Sequence, residues 1–151
     1  MVSLFDLKLK IMRILPVQFT LLLFFLSNLG FAQDLSVNSN RLHESLLKLS
    51  TFGKNAAGGT DRVAYSQYDL EAREYVKSLM DAAELEVSTD YAGNIIGRKP
   101  GKNPNLKPIA FGSHIDEVPN GGDYDGPVGS MGAIEVVRTL NEKGIETDHT
   151  L

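Results

Sequence analysis

The stretch GSHIDEVPNGGDYDGPVG, residues 112–129, decides how this sequence can fold. It overlaps the apolar run over residues 108–113, which is typical of a buried strand. Pro127 favours a helix start, because the N–H that proline lacks has no intrahelical acceptor at that position. The local order is therefore strand, glycine-rich loop, helix. In α/β sheets, binding residues collect in loops beyond the carboxyl ends of strands, so we expect a functional site here.

Three polar side chains in this stretch can bind a cation. His114 and Asp116 are two residues apart, so an extended backbone places both on one side, and a metal-bound imidazole commonly donates its second N–H to a carboxylate. An ordinary buried histidine beside a turn-forming aspartate explains the same spacing. Asp125 favours the metal interpretation, because it directly precedes Gly126 and Pro127 and a carboxylate can bridge two divalent ions. We also expect free N–H groups of the following helix to face Asp125 or a substrate carboxylate.

The rest of the chain alternates between helical patterns and short strand patterns. Leu42, Leu46 and Leu49 recur at helical spacing, Ser66 suits a helix N-cap, and Gly144 suits the left-handed position after a last turn. The predicted elements are a helix over 39–49, a loop over 53–60, a helix over 67–85, strands over 85–89 and 93–98, a turn over 99–105, a buried strand over 108–113 and a helix over 127–143.

Composition limits the chemistry that the chain can perform. The 151 residues are 42% apolar, which suits one globular domain, and the absence of cysteine excludes disulfide scaffolds, cysteine metal ligands and cysteine nucleophiles. The formal net charge of −4 argues against nucleic acid as a partner, because phosphate binding needs a basic surface. The reactive groups must therefore be histidines, carboxylates or hydroxyls.

Residues 1–32 have the pattern of a secretory signal peptide, in which basic residues precede an apolar run and small residues precede the cleavage site. These features lie at Lys8, Lys10 and Arg13, at residues 14–26 and at Gly30-Phe31-Ala32. The alternative is an uncleaved membrane anchor, but the apolar run is shorter than the roughly 20 residues of a spanning helix. We expect cleavage after Ala32, export to the periplasm or medium, and no membrane association afterwards. Met12 offers an alternative start codon.

The mature segment over residues 33–151 resembles the M20 family of zinc-dependent hydrolases, and most closely its N-carbamoyl-L-amino acid amidohydrolase branch. That branch includes allantoate amidohydrolases and β-ureidopropionases. The run Gly-Ser-His-x-Asp-x-Val-Pro-Asn-Gly-Gly-x-x-Asp-Gly carries most of the likeness. Further matching residues are Gly58-Gly59-Thr60, Arg62-Val63-Ala64-Tyr65-Ser66, Ala72-Arg73, Leu85-Glu86-Val87, Asp90, Gly93-Asn94, Gly97-Arg98, Gly101 and Glu135-Val136-Val137-Arg138.

The resemblance implies roles for three residues. His114 would bind one metal, Asp125 would bridge two divalent ions, and Asp116 would serve catalysis by orienting the His114 ring. The ions would be zinc, with manganese, cobalt or nickel as alternatives. The family's glutamate pair, with its general base, and two further histidine ligands would lie beyond Leu151. Glu117 departs from the family pattern, which usually has Ser or Thr there, and so does the pair Ser130-Met131.

The resemblance also implies the architecture and the reaction. The fold would be α/β, with a mixed sheet flanked by helices, and this chain would form the N-terminal part of the catalytic domain. The complete protein would carry an inserted dimerisation domain, form a homodimer, and hydrolyse a linear C–N bond in a small ureido or amide substrate such as an N-carbamoyl-L-amino acid. Residues 144–151 read as a helix stop followed by a strand start, so we expect a fragment that is inactive by itself.

Two other kinds of function compete with this interpretation. M20 peptidases place their bridging Asp further from the His-x-Asp pair, whereas exported M28 aminopeptidases place it close but usually follow it with Asp or Asn rather than Gly-Pro. A noncatalytic binding module would follow if the protein naturally ends at Leu151. Sequence beyond that residue would separate these alternatives.

Overall fold

The computed structural model describes residues 35–151, and the predicted signal peptide lies outside these residues. Three helices and a two-stranded sheet form this part of the chain. They are α1 (Ser39–Ser50), α2 (Gln67–Ala82), β1 (Glu86–Thr89), β2 (Ile95–Arg98) and α3 (Pro127–Glu142). Helices packed with a small sheet confirm the α/β class. No helix among the described residues is long and apolar enough to cross a membrane.

The helix starts follow the expected capping chemistry. The Asn38 side chain accepts a hydrogen bond from the N–H of Arg41 at the start of α1, at 3.1 Å. The Ser66 side chain accepts one from the N–H of Asp69 at the start of α2, at 3.3 Å. Each bond satisfies one of the N–H groups that a helix start leaves without an intrahelical partner. Pro127 occupies the first turn of α3, as predicted.

Helix α2 ends three residues earlier than predicted. Glu84 adopts a φ of 58°, and the N–H of Leu85 bonds to the carbonyl of Met80 at 3.1 Å, which closes the helix in a Schellman motif. Helix α3 ends in the same motif with Gly144 at a φ of 63°, as expected. The end of α2 was missed because glutamate, unlike glycine, rarely adopts this left-handed conformation.

The core lies where the three helices meet. Its buried side chains are Leu46, Leu49, Ala72, Val76, Ala83, Met131 and Ile134. Helices α1 and α3 are also joined by a bidentate ion pair in which Arg41 donates to the buried Glu135 at 2.7 and 2.8 Å. Apolar packing and this pair fix α3, and therefore the start of α3, against α1.

Strands β1 and β2 form an antiparallel hairpin on α2. Their register pairs Glu86 with Arg98 and Thr89 with Ile95. Asp90 stabilises the connecting turn by accepting hydrogen bonds from the N–H groups of Ala92 and Asn94. Both predicted strands are confirmed with slightly shorter bounds.

The expected buried strand over residues 108–113 is wrong for this structure. These residues are exposed, with Phe111 at 47% and Ile109 at 49% exposed surface. Their one backbone hydrogen bond within residues 35–151 joins the N–H of Ile109 to the carbonyl of Thr150, at 2.9 Å. An apolar run is buried as a strand only when neighbouring strands pair with its edges, and the described residues provide this single bond.

A buried arginine ties the end of α1 to the segment that carries the predicted site. The Arg62 side chain has no exposed surface. Its Nε donates to the carbonyl of Ile115 at 2.6 Å, and its Nη1 donates to the carbonyls of Leu49 and Phe52, both at 3.0 Å. The carbonyl of Arg62 in turn accepts from the N–H of Glu117 at 2.7 Å. One side chain thus positions residues 115–117 relative to the helices.

We predict that Arg62→Lys lowers the free energy of unfolding by about 2–4 kcal/mol, because an ammonium cannot reach three carbonyls at once and leaves buried acceptors unpaired. The matched control is Arg98→Lys, whose half-exposed partner is Glu86, and its effect should stay below about 1 kcal/mol. Urea unfolding of both variants measures the difference. Equal effects would contradict the role given to Arg62.

Candidate functional site

His114 and Asp116 face the same side, as their spacing predicted. The Nδ1 atom of His114 lies 3.1 Å from the backbone carbonyl oxygen of Asp116 and 3.5 Å from its Oδ1. Both side chains are about half exposed. When Nδ1 carries the proton and donates it to Asp116, Nε2 keeps a free lone pair that can bind a cation. The nearer acceptor is the carbonyl rather than the carboxylate that the sequence suggested.

The His114 side chain packs against the start of α3. Gly126 has a φ of 84°, and a Cβ atom placed there would lie 2.3 Å from Cε1 of the His114 ring. A Cβ atom at Gly129 would lie 2.8 Å from the Cβ of Ser113. Both glycines are therefore needed for the close approach of residues 113–114 to α3. The hydroxyl of Ser130 adds a hydrogen bond to the carbonyl of His114, at 3.1 Å.

The N–H groups at the start of α3 do not serve as the expected anion site. Pro127 has none, the N–H of Val128 bonds to the carbonyl of Tyr124 at 3.1 Å, and that of Gly129 bonds to the carbonyl of Gly126 at 3.0 Å. The expectation that these groups hold Asp125 or a substrate carboxylate is wrong, because the loop's own carbonyls already occupy them.

The loop before α3 contains two carboxylates with different surroundings. Asp123 accepts hydrogen bonds from Lys54 at 2.6 Å and from Thr60 at 2.8 Å. Burial raises the pKa of Asp123, but these two bonds outweigh it and hold the pKa below its usual value. Asp125 is exposed and has no hydrogen-bond or ion-pair partner within residues 35–151. Asp123 therefore fixes the loop, whereas the carboxylate of Asp125 remains available to a ligand.

A further acidic side chain, Glu117, lies beside this group, and the sequence identified it only as a departure from a family pattern. It is 7% exposed, and its Oε1 has no hydrogen-bond partner in the described part of the chain. Burial raises the pKa of Glu117, and the nearby charges of Asp125 and Asp116 add to the rise, while Arg62 and His114 oppose it. The sequence does not indicate that Glu117 is buried, because its burial depends on the loop before α3 folding back over the side chain.

These side chains do not form a complete cation site among the described residues. No three His, Cys, Asp or Glu side chains within residues 35–151 are arranged to hold an ion together. His43 is exposed on α1, and the Nδ1 of His149 contacts the carbonyl of Lys107 at 2.7 Å. A cation bound by His114 and Asp125 would therefore need further ligands from outside the described residues.

Comparison with known proteins identifies relatives with similar sequences. No family model matches the chain. An N-carbamoyl-L-amino acid amidohydrolase of Geobacillus stearothermophilus is 42% identical over 115 residues, covering 76% of this chain and 28% of the relative. A ureidoglycolate hydrolase of Arabidopsis thaliana is 41% identical over 124 residues, covering 82% of this chain and 26% of the relative.

A solved structure shows the same fold. A hydantoinase/carbamoylase family amidase from Burkholderia ambifaria has a TM-score of 0.76 and 37% identity, over 78% of this chain and 29% of that chain. Over most of its described length this chain is similar to amidases of the hydantoinase/carbamoylase family. The resemblance predicted from the sequence is confirmed. The chain spans less than a third of the length of these relatives.

We predict that Gly126→Ala destabilises the protein by about 1–3 kcal/mol and displaces the His114 ring, because an L side chain is strained at this φ and clashes with the imidazole. The matched control is Gly132→Ala within α3, where a Cβ atom meets nothing within 4 Å. This variant should raise the free energy of unfolding by about 0.5–1 kcal/mol. Denaturant unfolding and the NMR shifts of the His114 imidazole test both. If the NMR shifts of the His114 imidazole are unchanged in Gly126→Ala, the ring does not pack against Gly126 as described.

We predict that Glu117→Gln stabilises the protein at pH 7 and that the gain disappears at low pH. A carboxyl whose folded-state pKa is raised binds more protons folded than unfolded, so its contribution to stability falls as the pH rises through the two pKa values. The glutamine side chain does not titrate, so the variant does not lose this stability as the pH rises. The measurement is the free energy of unfolding from pH 3 to pH 8, with the exposed Glu44→Gln as control. A gain independent of pH would rule out this explanation.

Proposed function

We propose that the complete protein is a metal-dependent amidohydrolase that cleaves a linear C–N bond in a small ureido or amide substrate, such as an N-carbamoyl-L-amino acid. The proposal rests on the His114 ring, which contacts Asp116 and packs against Gly126, next in sequence to Asp125, whose carboxylate has no partner within residues 35–151. It rests also on 42% identity over 115 residues to an N-carbamoyl-L-amino acid amidohydrolase. Because the chain covers 28% of that relative, the activity is proposed for the whole protein.

The donor set fits a centre of two divalent cations, for which we propose zinc, with manganese, cobalt or nickel as alternatives. One neutral imidazole and one exposed carboxylate are ligands that these metals accept, and a carboxylate has two oxygens with which to bridge them. His114 would bind one ion and Asp125 would bridge both. Such ions, when bound, activate a water molecule and polarise the substrate carbonyl.

The remaining residues of the group would support these two. With a proton on Nδ1, His114 would donate to the backbone carbonyl of Asp116, which would leave Nε2 as the ligand atom. Glu117 places a buried carboxylate next to the site, where it adds negative potential and favours cation binding. The group that takes the proton from water would be supplied from outside residues 35–151.

We further propose that the protein is exported after cleavage behind Ala32 and forms a homodimer when full-length. The signal pattern of residues 1–32 supports the first proposal. The family resemblance supports the second. The substrate would meet the enzyme outside the cytoplasm.

A chimera tests the function directly. Residues 35–151 replace the aligned region of the Geobacillus amidohydrolase, and ammonia release from N-carbamoyl-L-amino acids is compared with dipeptide hydrolysis. We expect ureido hydrolysis that is lost on chelation and restored by zinc. His114→Ala and Asp125→Ala should each reduce kcat/KM at least about 100-fold, since loss of a group that only supports a ligand already costs about 10–100-fold.

The matched controls are His43→Ala and Asp81→Asn, which change an exposed imidazole and an exposed carboxylate on α1 and α2. Both should leave kcat/KM unchanged. Dipeptide hydrolysis without ureido hydrolysis would favour an exopeptidase, and activity that survives Asp125→Ala with both metals bound would refute the proposed centre.

We also predict that the 151-residue chain alone does not turn over these substrates and does not bind two zinc ions tightly. One imidazole and one bridging carboxylate are too few ligands for two ions. Isothermal titration with zinc provides the measurement. Stoichiometric binding of two ions would contradict this prediction.

A further inference from the structure

The loop before α3 contains a pair of residues that is chemically unstable in unfolded chains. Asn120 is exposed, and it is the one asparagine of the sequence that precedes a glycine, Gly121. The backbone nitrogen that follows an asparagine can attack the carbonyl carbon of the asparagine side chain. Glycine hinders this attack least, because it has no Cβ atom. The fold therefore decides whether this pair reacts.

The backbone nitrogen of Gly121 is hydrogen-bonded in the folded chain. Thr60 and Gly121 form an antiparallel pair that exchanges both backbone hydrogen bonds, at 2.9 and 3.0 Å. The N–H of Gly121 also donates to the carbonyl of Val118, at 2.9 Å. This N–H must give up both acceptors before its nitrogen can bond to another atom, and breaking these bonds costs free energy.

The backbone and side chain of Asn120 are held as well. Asn120 has a φ of 58°, and its N–H donates to Oδ1 of Asp61 at 2.6 Å. Its side-chain oxygen accepts a hydrogen bond from Nδ2 of Asn55 at 3.2 Å. The side chain also packs against Gly59, where a Cβ atom would lie 2.2 Å from Oδ1 and 2.8 Å from Cγ of Asn120. The carbon that would be attacked is thus fixed by contacts with residues 55–61.

We propose that Asn120 is a site of spontaneous deamidation, and that opening of the loop over residues 118–121 sets the rate of the reaction. In the open loop, the nitrogen of Gly121 loses its proton and bonds to Cγ of Asn120. The side-chain NH2 group takes up a proton and leaves as ammonia, which closes a succinimide ring. Water then opens the ring at either carbonyl and gives aspartate or isoaspartate. The closed loop slows this reaction, since only the open fraction of the chains reacts.

Isoaspartate changes the loop that carries the candidate ligand Asp125. The backbone then runs through the former side chain of residue 120 and gains one carbon atom, so Thr60 and Gly121 no longer pair in the same register. Either product also places a new carboxylate next to Asp61, and the two negative charges repel each other. Deamidation therefore weakens the attachment of this loop to residues 55–61.

Peptide mass analysis measures the rate without metal or substrate, so its outcome does not depend on the proposed function. The full chain is incubated at pH 8, folded or unfolded in urea, and fragment masses report the exchange of the Asn120 NH2 group for OH. We expect the reaction to be at least about tenfold slower in the folded chain. Asn94 and Asn103 serve as internal references, because a branched isoleucine follows the first and a proline, whose nitrogen has no proton to lose, follows the second.

The variant Asp61→Ala removes the acceptor of the Asn120 N–H, and it should accelerate deamidation of the folded chain about 3–10-fold. In urea, the variant and the unsubstituted chain should react at the same rate, because the contact is absent there. The matched control is Asp81→Ala, which removes an exposed carboxylate from α2 and should leave both rates unchanged.

The isoaspartate product should unfold at a lower urea concentration than the variant Asn120→Asp, which carries the same added charge on an unaltered backbone. A slow reaction in the folded chain, accelerated by Asp61→Ala, supports the proposal. Equal rates in folded and unfolded chains, no reaction of Asn120 in urea, or an unchanged rate in folded Asp61→Ala would overturn it. Equal unfolding midpoints of the isoaspartate product and Asn120→Asp would contradict the proposed effect on the loop.

Discussion

A guanidinium without exposed surface, that of Arg62, determines where the candidate site lies relative to the helices. A buried cation costs several kcal/mol unless its donors are satisfied, and three backbone carbonyls from two different segments satisfy most of them. Burial lowers the pKa of Arg62, and the surrounding carboxylates, Glu117 first among them, oppose that change. The orientation of residues 115–117 is thus inherited from the packed end of α1 rather than set by the exposed loop.

Asp123 and Asp125, in the loop before α3, have different surroundings. Asp123 is held by Lys54 and Thr60, and Asn120 donates its N–H to Asp61 at 2.6 Å, so the loop is bonded to the segment before α2 at several points. Asp125 directly precedes Gly126, against which the His114 ring packs, and its carboxylate has no partner in the part of the chain that the structure describes. In the proposed centre, a ligand on this fixed loop would lose little conformational freedom on binding, which favours tight and specific geometry.

Local chemistry predicted much of this structure from the sequence. The spacing of Leu46 and Leu49, the cap at Ser66 and the Pro127 and Gly144 signals gave α1 and α3 and the start of α2 nearly as observed. The contact between His114 and Asp116 followed from strand periodicity. These features depend on neighbours within a few residues, which a sequence displays directly.

Features that depend on distant partners were missed. The left-handed Glu84 ends α2 although its residue type gives no such signal, and Glu117 is buried by a loop whose path depends on Thr60 and Asp61. Residues 108–113 have the composition of a strand, but strand structure also requires a neighbour with which to pair. The same holds for Arg62, because its importance lies in carbonyls that are 10 to 53 residues away.

The exposed apolar edge over residues 108–113 also bears on how the chain behaves at high concentration. An edge that exposes Ile109 and Phe111 and has few backbone hydrogen bonds favours pairing with the same edge of another molecule, which leads to aggregation rather than to a closed sheet. The charge of Lys107, the ring of Pro108 and the backbone of Gly112 interrupt this stretch. Such interruptions oppose pairing of this edge with other chains.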